Sequence, residues 1–247
     1  MTVLSLISDR LASSETIDLK RKPQTSFPFG LGETGVHECV EARHGDMTAM
    51  TGFLLASTQS LDAVLWVKQY RLVQEHGRAL MSGVFGFGPG SMRHCLHVHT
   101  SKRLDALWAI EEGAKSGGVQ LVIGEVEEAG FTATRRLKLI SETYGVPVIL
   151  LMPYTRQGTS ACDARWRISA QPSAPNPYDP RAPGKARWRA GLERCRAAPE
   201  RTGEIFDLEY DDEALSLRVV SGLAAGQIAS RQAAEAKRII TPFKATA

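Results

Sequence analysis

Apolar residues in the first half of the chain come as short unbroken runs that alternate with segments of helical spacing. Leu4, Ile7 and Leu11 recur at helical intervals before a polar run ending Lys20-Arg21-Lys22, which predicts a short arm over residues 1–22. Residues 23–35 carry Pro28, Gly30, Gly32 and Gly35 and predict a turn-rich entry to the domain. Val36-His37-Glu38-Cys39-Val40 reads as a first strand, and residues 46–55 as a helix whose Met47, Met50, Phe53 and Leu54 face the core. Val64-Leu65-Trp66-Val67 is an apolar run of the kind found in parallel strands buried on both faces. A glycine-rich stretch over 83–90 predicts a loop, and residues 96–98 a strand inside the parallel core. Ser101 is expected to begin a helix with Leu104, Leu107, Trp108 and Ile110 on its core side. A strand over 120–124 follows, then a helix with Ala133, Leu137, Ile140 and Tyr144 inward, capped by Thr132 and ended by Gly145, and a strand over 148–151.

Beyond Pro153 the period changes to two. Arg165-Trp166-Arg167-Ile168, Arg187-Trp188-Arg189-Ala190-Gly191-Leu192 and Phe206-Asp207-Leu208-Glu209-Tyr210 alternate in polarity, and Asp211-Asp212-Glu213 reads as the turn into residues 215–219. Antiparallel strands are expected here, on one side of the parallel core. Five prolines within residues 172–184 predict an extended surface loop between them. Strand–helix alternation followed by a strand-only region predicts an α/β fold: a mostly parallel sheet flanked by helices and extended by C-terminal antiparallel strands. The core domain is assigned to residues 23–220. Residues 221–247 form an alanine-rich, flexible tail in which Ile239, Ile240 and Phe243 make a compact anchor for a partner.

With 247 residues, 43% of them hydrophobic and 23% charged, the chain can bury one sizeable core and has neither the composition of a disordered protein nor a run long enough to span a membrane. No secretion signal is recognisable, and Cys39, Cys95, Cys162 and Cys195 form no C-x-x-C pair, so free thiols in the cytoplasm are expected. The net charge is only +3, but residues 156–201 hold ten Lys/Arg against four Asp/Glu, which predicts a locally basic face.

The loop after the first strand is where chemistry is expected and missing. A phosphate loop reads G-x-x-x-x-G-K-S/T between a strand and a helix, its lysine on the β/γ-phosphates and its hydroxyl on Mg²⁺. At that spacing this chain has Val40, then Glu41-Ala42-Arg43-His44, then Gly45-Asp46-Met47. A carboxylate replaces the lysine, and Met47 has no oxygen for a hard cation. Glu125, near the position of a magnesium-holding acid, is expected to cap its strand or face a partner, and Met152-Pro153 stands where a polar sensor would follow the next strand. Neither ATP turnover nor any cofactor or metal is expected. Cys95, His97 and His99 share one face of a strand and are zinc-type ligands, but no fourth ligand is near, so they are read as packed side chains. The pairs Arg165 and Arg167, Arg187 and Arg189, and Arg194 and Arg196 put guanidiniums on one strand face, with Trp166 and Trp188 turned inward. The stripe reads equally as a phosphate-binding surface and as a solvated sheet face.

The layout resembles that of RecA-type ATPases. Leu107-Trp108-Ala109-Ile110-Glu111-Glu112-Gly113, Val122-Ile123-Gly124-Glu125, Phe131-Thr132-Ala133-Thr134-Arg135-Arg136-Leu137, Gly145-Val146-Pro147, Ala164-Arg165-Trp166-Arg167, Pro180-Arg181-Ala182-Pro183-Gly184 and Arg187-Trp188-Arg189 resemble segments of the ImuA family in order, over roughly residues 30–220. The resemblance implies a non-catalytic RecA-fold accessory protein of SOS-induced translesion DNA synthesis and mutagenesis. It implies ImuB as partner, through ImuB an error-prone C-family DNA polymerase, and RecA itself. Single-stranded DNA is a further partner that the arginines bring into view. The alternatives are a weak ATPase with another loop geometry, and a regulator of RecA filaments by protomer mimicry, as SulA-like relatives suggest by analogy of fold.

Overall fold

A computed structural model describes residues 31–220, apart from 32–33, 59–60, 62, 86–91, 93, 212 and 214. The arm over 1–22, the tail over 221–247 and its Ile239, Ile240 and Phe243 lie outside the described residues. In chain order the elements are β1 (Val36–Glu41), α1 (Met47–Ser57), β2 (Ala63–Gln69), α2 (Tyr70–His76), α3 (Met81–Phe85), β3 (His94–Thr100), α4 (Arg103–Lys115), β4 (Leu121–Glu125), α5 (Phe131–Tyr144), β5 (Val148–Met152), β6 (Ala164–Gln171), β7 (Arg187–Cys195), β8 (Ile205–Asp211) and β9 (Ser216–Val219). The strands form one nine-stranded sheet in the order β3-β2-β4-β5-β1-β6-β7-β8-β9. Pairs from β3 across to β6 are parallel, and β6–β7, β7–β8 and β8–β9 are antiparallel. The mostly parallel α/β sheet with an antiparallel extension is therefore the architecture of the chain.

Unbroken apolar strands follow from cover on both faces. Cys39, Trp66, Ile123, Ile149 and Trp166 point toward α1 and meet Met50, Phe53 and Leu54. Val40, Leu65, Val122 and Leu150 point the other way, to Ala106 and Ile110 of α4 and Leu137 of α5. Past β6 only the α1 side stays apolar: Trp188, Leu192, Leu208 and Tyr210 continue that core, while Arg187, Arg189, Asp207 and Glu209 occupy the opposite face, bonded across strands. This accounts for the change to period two beyond Pro153.

Several local expectations are corrected. β3 is an edge strand beside β2, not a strand inside the parallel core. With no strand beyond it among the described residues, the outer stripe of α4 has none of them to pack on, so Leu104 is 71% and Trp108 61% exposed while Ala106, Ile110 and Ala114 face the sheet. That helix is preceded by an extended Lys102 rather than capped by Ser101. Gly130, not Thr132, precedes α5, and it is the Thr134 hydroxyl that bonds the Gly130 carbonyl. The inner face of α5 is Thr134, Leu137 and Ser141, with Tyr144 half exposed. Its end at Gly145 is as expected, since φ is +70° there, a left-handed conformation that suits glycine. Within the stretch read as a glycine-rich loop, residues 83–85 belong to α3. No helix among the described residues is long and apolar enough to cross a membrane.

The spacing between α4 and the sheet depends on Gly124 in β4. A Cβ there would lie 2.4 Å from Ile110 Cδ1 and 3.1 Å from Leu150 Cδ2. Gly124→Val is expected to destabilise the fold by about 1–3 kcal/mol through overpacking. Urea denaturation checks this: an unchanged midpoint in the variant would show that the helix rides on other contacts.

Candidate site at the degenerate phosphate loop

Residues 42–46 join β1 to α1 at the C-terminal edge of the parallel strands, where open α/β sheets bind ligands. Ala42 N–H donates to the Ile168 carbonyl at 2.9 Å, which ties the loop to β6. Gly45 has φ +97°, which lets the chain turn into the helix. Asp46, at the lysine position, is 4% exposed. Its Oδ1 accepts the Ala170 N–H at 3.3 Å, and its Oδ2 lies 3.5 Å from Arg43 Nε. Val40 is buried in the core on one side of β1, and Met47 in the core on the other. Of the four loop residues singled out from the sequence, Val40, Asp46 and Met47 are buried and Gly45 forms the turn, and Gly45 and Met47 also line a cavity beside α1.

A second acidic side chain is buried beside it. Glu41 ends β1 fully buried; its Oε2 accepts the Tyr154 N–H at 3.2 Å, and its Oε1 lies 3.9 Å from His76 Nδ1. Burial holds the Glu41 carboxyl above its ordinary range, against the opposing pull of the Tyr154 N–H and His76. The His44 ring stands 5.7 Å from that of His76 and 5.9 Å from that of Tyr154.

Glu125 faces neither solvent nor a free metal position. It is buried at the end of β4, 2.8 Å from Lys68 Nζ at the end of β2, and it accepts the Trp66 Nε1–H at 2.8 Å. Lys68 also sits 4.2 Å over the Trp66 ring. The expectation that Glu125 caps the strand or faces a partner is replaced by this internal pair. His97 stacks on Trp66 at 5.7 Å, and burial followed by the charge of Lys68 lowers its pKa. Among the described residues no group of three His, Cys, Asp or Glu is placed to hold a metal ion.

Beside the loop opens a cavity of about 810 Å³. One face of α1 (Thr48, Thr51, Leu55) forms a wall, the segment from His76 to Val84 another, and the ends of β6 and β7 with Trp188 a third; Lys68 and Glu125 lie at its base. Lys68, Glu41 and His76 were not singled out in the sequence. Lys68 did carry a signal, a charged residue within the buried run of β2, whereas its partner is far along the chain.

The arginines are brought together on the sheet face opposite α1, with Trp166 and Trp188 buried behind them. Most are already paired. Arg165 Nε is 2.6 Å from the buried Glu38, which Arg156 approaches at 3.7 Å. Arg167 pairs with Glu193. Arg187 Nε donates to Glu209 at 2.7 Å, a carboxylate shared with Arg218, and Arg189 Nε donates to Asp207 at 2.8 Å. Arg194 Nη1 donates to the Ser160 carbonyl at 2.9 Å. Arg196 is exposed.

Two ImuA proteins, from the NA1000 / CB15N and ATCC 19089 / CIP 103742 / CB 15 strains of Caulobacter vibrioides, are each 30% identical to this chain over 228 residues, 85% of this chain and 88% of theirs. The chain belongs to the ImuA family. No family model matches it. Among solved structures, SulA from Pseudomonas aeruginosa aligns at a TM-score of 0.34 and 12% identity, over 48% of this chain and 97% of that one.

Because the Glu41 pKa is raised in the fold, the folded state holds that proton more tightly than the unfolded one, and stability falls as pH rises through the window between the two pKa values. Glu41→Gln keeps a carbonyl for the Tyr154 N–H and removes the charge. Thermal melts are expected to show the variant more stable than the parent at neutral pH, with the difference vanishing in acid below the carboxylate range; equal melting shifts at both pH values would count against the assignment.

Proposed function

We propose that the chain is a non-catalytic accessory protein with a RecA-type fold in SOS-induced translesion DNA synthesis and mutagenesis. On this reading it acts with ImuB and an error-prone C-family DNA polymerase and contacts RecA in the cytoplasm. Family membership supports the setting. The observation that carries the non-catalytic part is Asp46: a carboxylate at the lysine position, buried and turned onto the Ala170 N–H. With the acceptor oxygens of Glu41 buried alongside, an incoming phosphate meets further acceptors and no ammonium from the loop.

The charge ladder favours contact with proteins over contact with DNA. Arg165, Arg167, Arg187 and Arg189 face Glu38, Glu193, Glu209 and Asp207, so these four guanidiniums are already engaged across the sheet and less free to take phosphates.

Calorimetry with Mg-ATP is expected to show no binding heat; micromolar affinity, or turnover lost on changing Gly45 or Glu125, would return the chain to the ATPases. Pull-downs with purified ImuB, RecA and single-stranded DNA as separate baits are expected to retain it on ImuB. Retention on RecA alone would favour the filament regulator.

Arg187→Ala with Arg189→Ala is expected to leave the salt dependence of any single-strand binding unchanged. Two lost phosphate contacts would instead flatten the log-log slope by roughly 1.4, as read by fluorescence anisotropy across a salt series.

A further inference from the structure

The cavity beside α1 is built in a way the adaptor reading does not use. Its walls are mostly apolar, with Leu55, Leu80, Val84 and Trp188 among them, and its volume of about 810 Å³ falls within the roughly 300–1,000 Å³ of small-molecule sites. Among the described residues Lys68 and Arg78 stand against the carboxylate of Glu125 in its lining, while Arg187, which also borders it, is paired with Glu209. Glu125 is spoken for, since it accepts from Trp66 and pairs with Lys68. Lys68 has capacity left, because an ammonium has three donors and Glu125 is its one carboxylate partner among the described residues. The Lys68 side chain is only 4% exposed, so an acceptor reaching it is shielded from water, where charge-assisted hydrogen bonds count most. His76, in the same lining, has a buried Nε2 with no hydrogen-bond partner. Arg78 at the rim is exposed and pairs with no carboxylate among the described residues.

The geometry points to a binding site for a small amphipathic anion, an alkyl or aryl carboxylate or sulfonate. Its apolar body lies along the Thr48, Thr51 and Leu55 face of α1, and its charged head reaches Lys68. A triphosphate does not suit this site: the walls are apolar, the only buried ammonium is shared with Glu125, and Asp46 guards the loop. The inference is independent of which partners the whole protein binds.

Titration of the full chain with 8-anilinonaphthalene-1-sulfonate tests it. A saturable rise in emission is expected, reversed by decanoate and not by decyltrimethylammonium. Thr51→Trp, which fills the cavity from α1, is expected to weaken the dye by about tenfold or more while leaving the melting temperature near that of the parent. If that variant fails to fold, Thr48→Trp, at an exposed position on the same wall, makes the same test. Arg78→Glu is expected to weaken the dye several-fold. Parent-like dye affinity in a folded cavity-filled variant would overturn the assignment. So would equal displacement by the cationic amphiphile, or displacement by Mg-ATP at matching concentration.

Discussion

Two carboxylates buried in the central strand constrain much of the rest of the molecule. β1 is hydrogen-bonded on both edges, to β5 and β6, and covered on both faces, yet it carries Glu38 and Glu41 at 0% exposure. An isolated buried charge is far too costly to keep, so each must be neutralised or given partners. Glu38 draws in Arg165 from β6 and Arg156 from the loop after β5, which fastens that loop beneath the sheet. Glu41 takes the Tyr154 N–H, and burial raises its pKa. Arg167 then caps the strand by donating to the Glu41 carbonyl at 2.9 Å. The end of β1 is thus rich in buried acceptor oxygens, of which Glu38 Oε1, Glu41 Oε1 and Asp46 Oδ2 have no hydrogen-bond partner among the described residues, and a nucleotide's phosphates are poorly matched to such a place.

The same accounting explains the arginines. On a one-sided antiparallel sheet, cross-strand neighbours on the open face lie within reach of each other, and opposite charges placed directly across are favourable. Register puts Arg189 opposite Asp207 and Arg187 opposite Glu209, with Arg218 on the other side of Glu209. Such partly exposed pairs each contribute at most about 1 kcal/mol. Their larger consequence is that four arginines that look free in sequence, Arg165, Arg167, Arg187 and Arg189, are engaged with carboxylates in space, whereas Arg78 beside the cavity has no carboxylate partner among the described residues.

Lys68 and Glu125 link this interior to the cavity. They end neighbouring parallel strands in register, Lys68 opposite Glu125, and Trp66 supplies both an N–H to the carboxylate and a ring face to the ammonium. The base of the cavity is thus polar and holds an ion pair, while its walls are mostly apolar.

What the sequence determined by itself was whatever depends on neighbours along the chain. Apolar runs marked β1, β2, β4 and β5; period two marked β6, β7 and β8 and sent Trp166 and Trp188 inward; and Gly145 ended α5. Only the tertiary structure decided what depends on strand order and register, because these join residues far apart in the chain. Helical spacing shows that α4 is amphipathic but not that β3 ends the sheet, so it puts Leu104 and Trp108 on the core side although no described residue beyond β3 covers them. The open side of β7 was legible, but not Asp207 and Glu209 opposite its arginines. Lys68 and Glu125 meet because β4 inserts beside β2 instead of beside β3, a choice set by packing between faces and by nothing in either local segment.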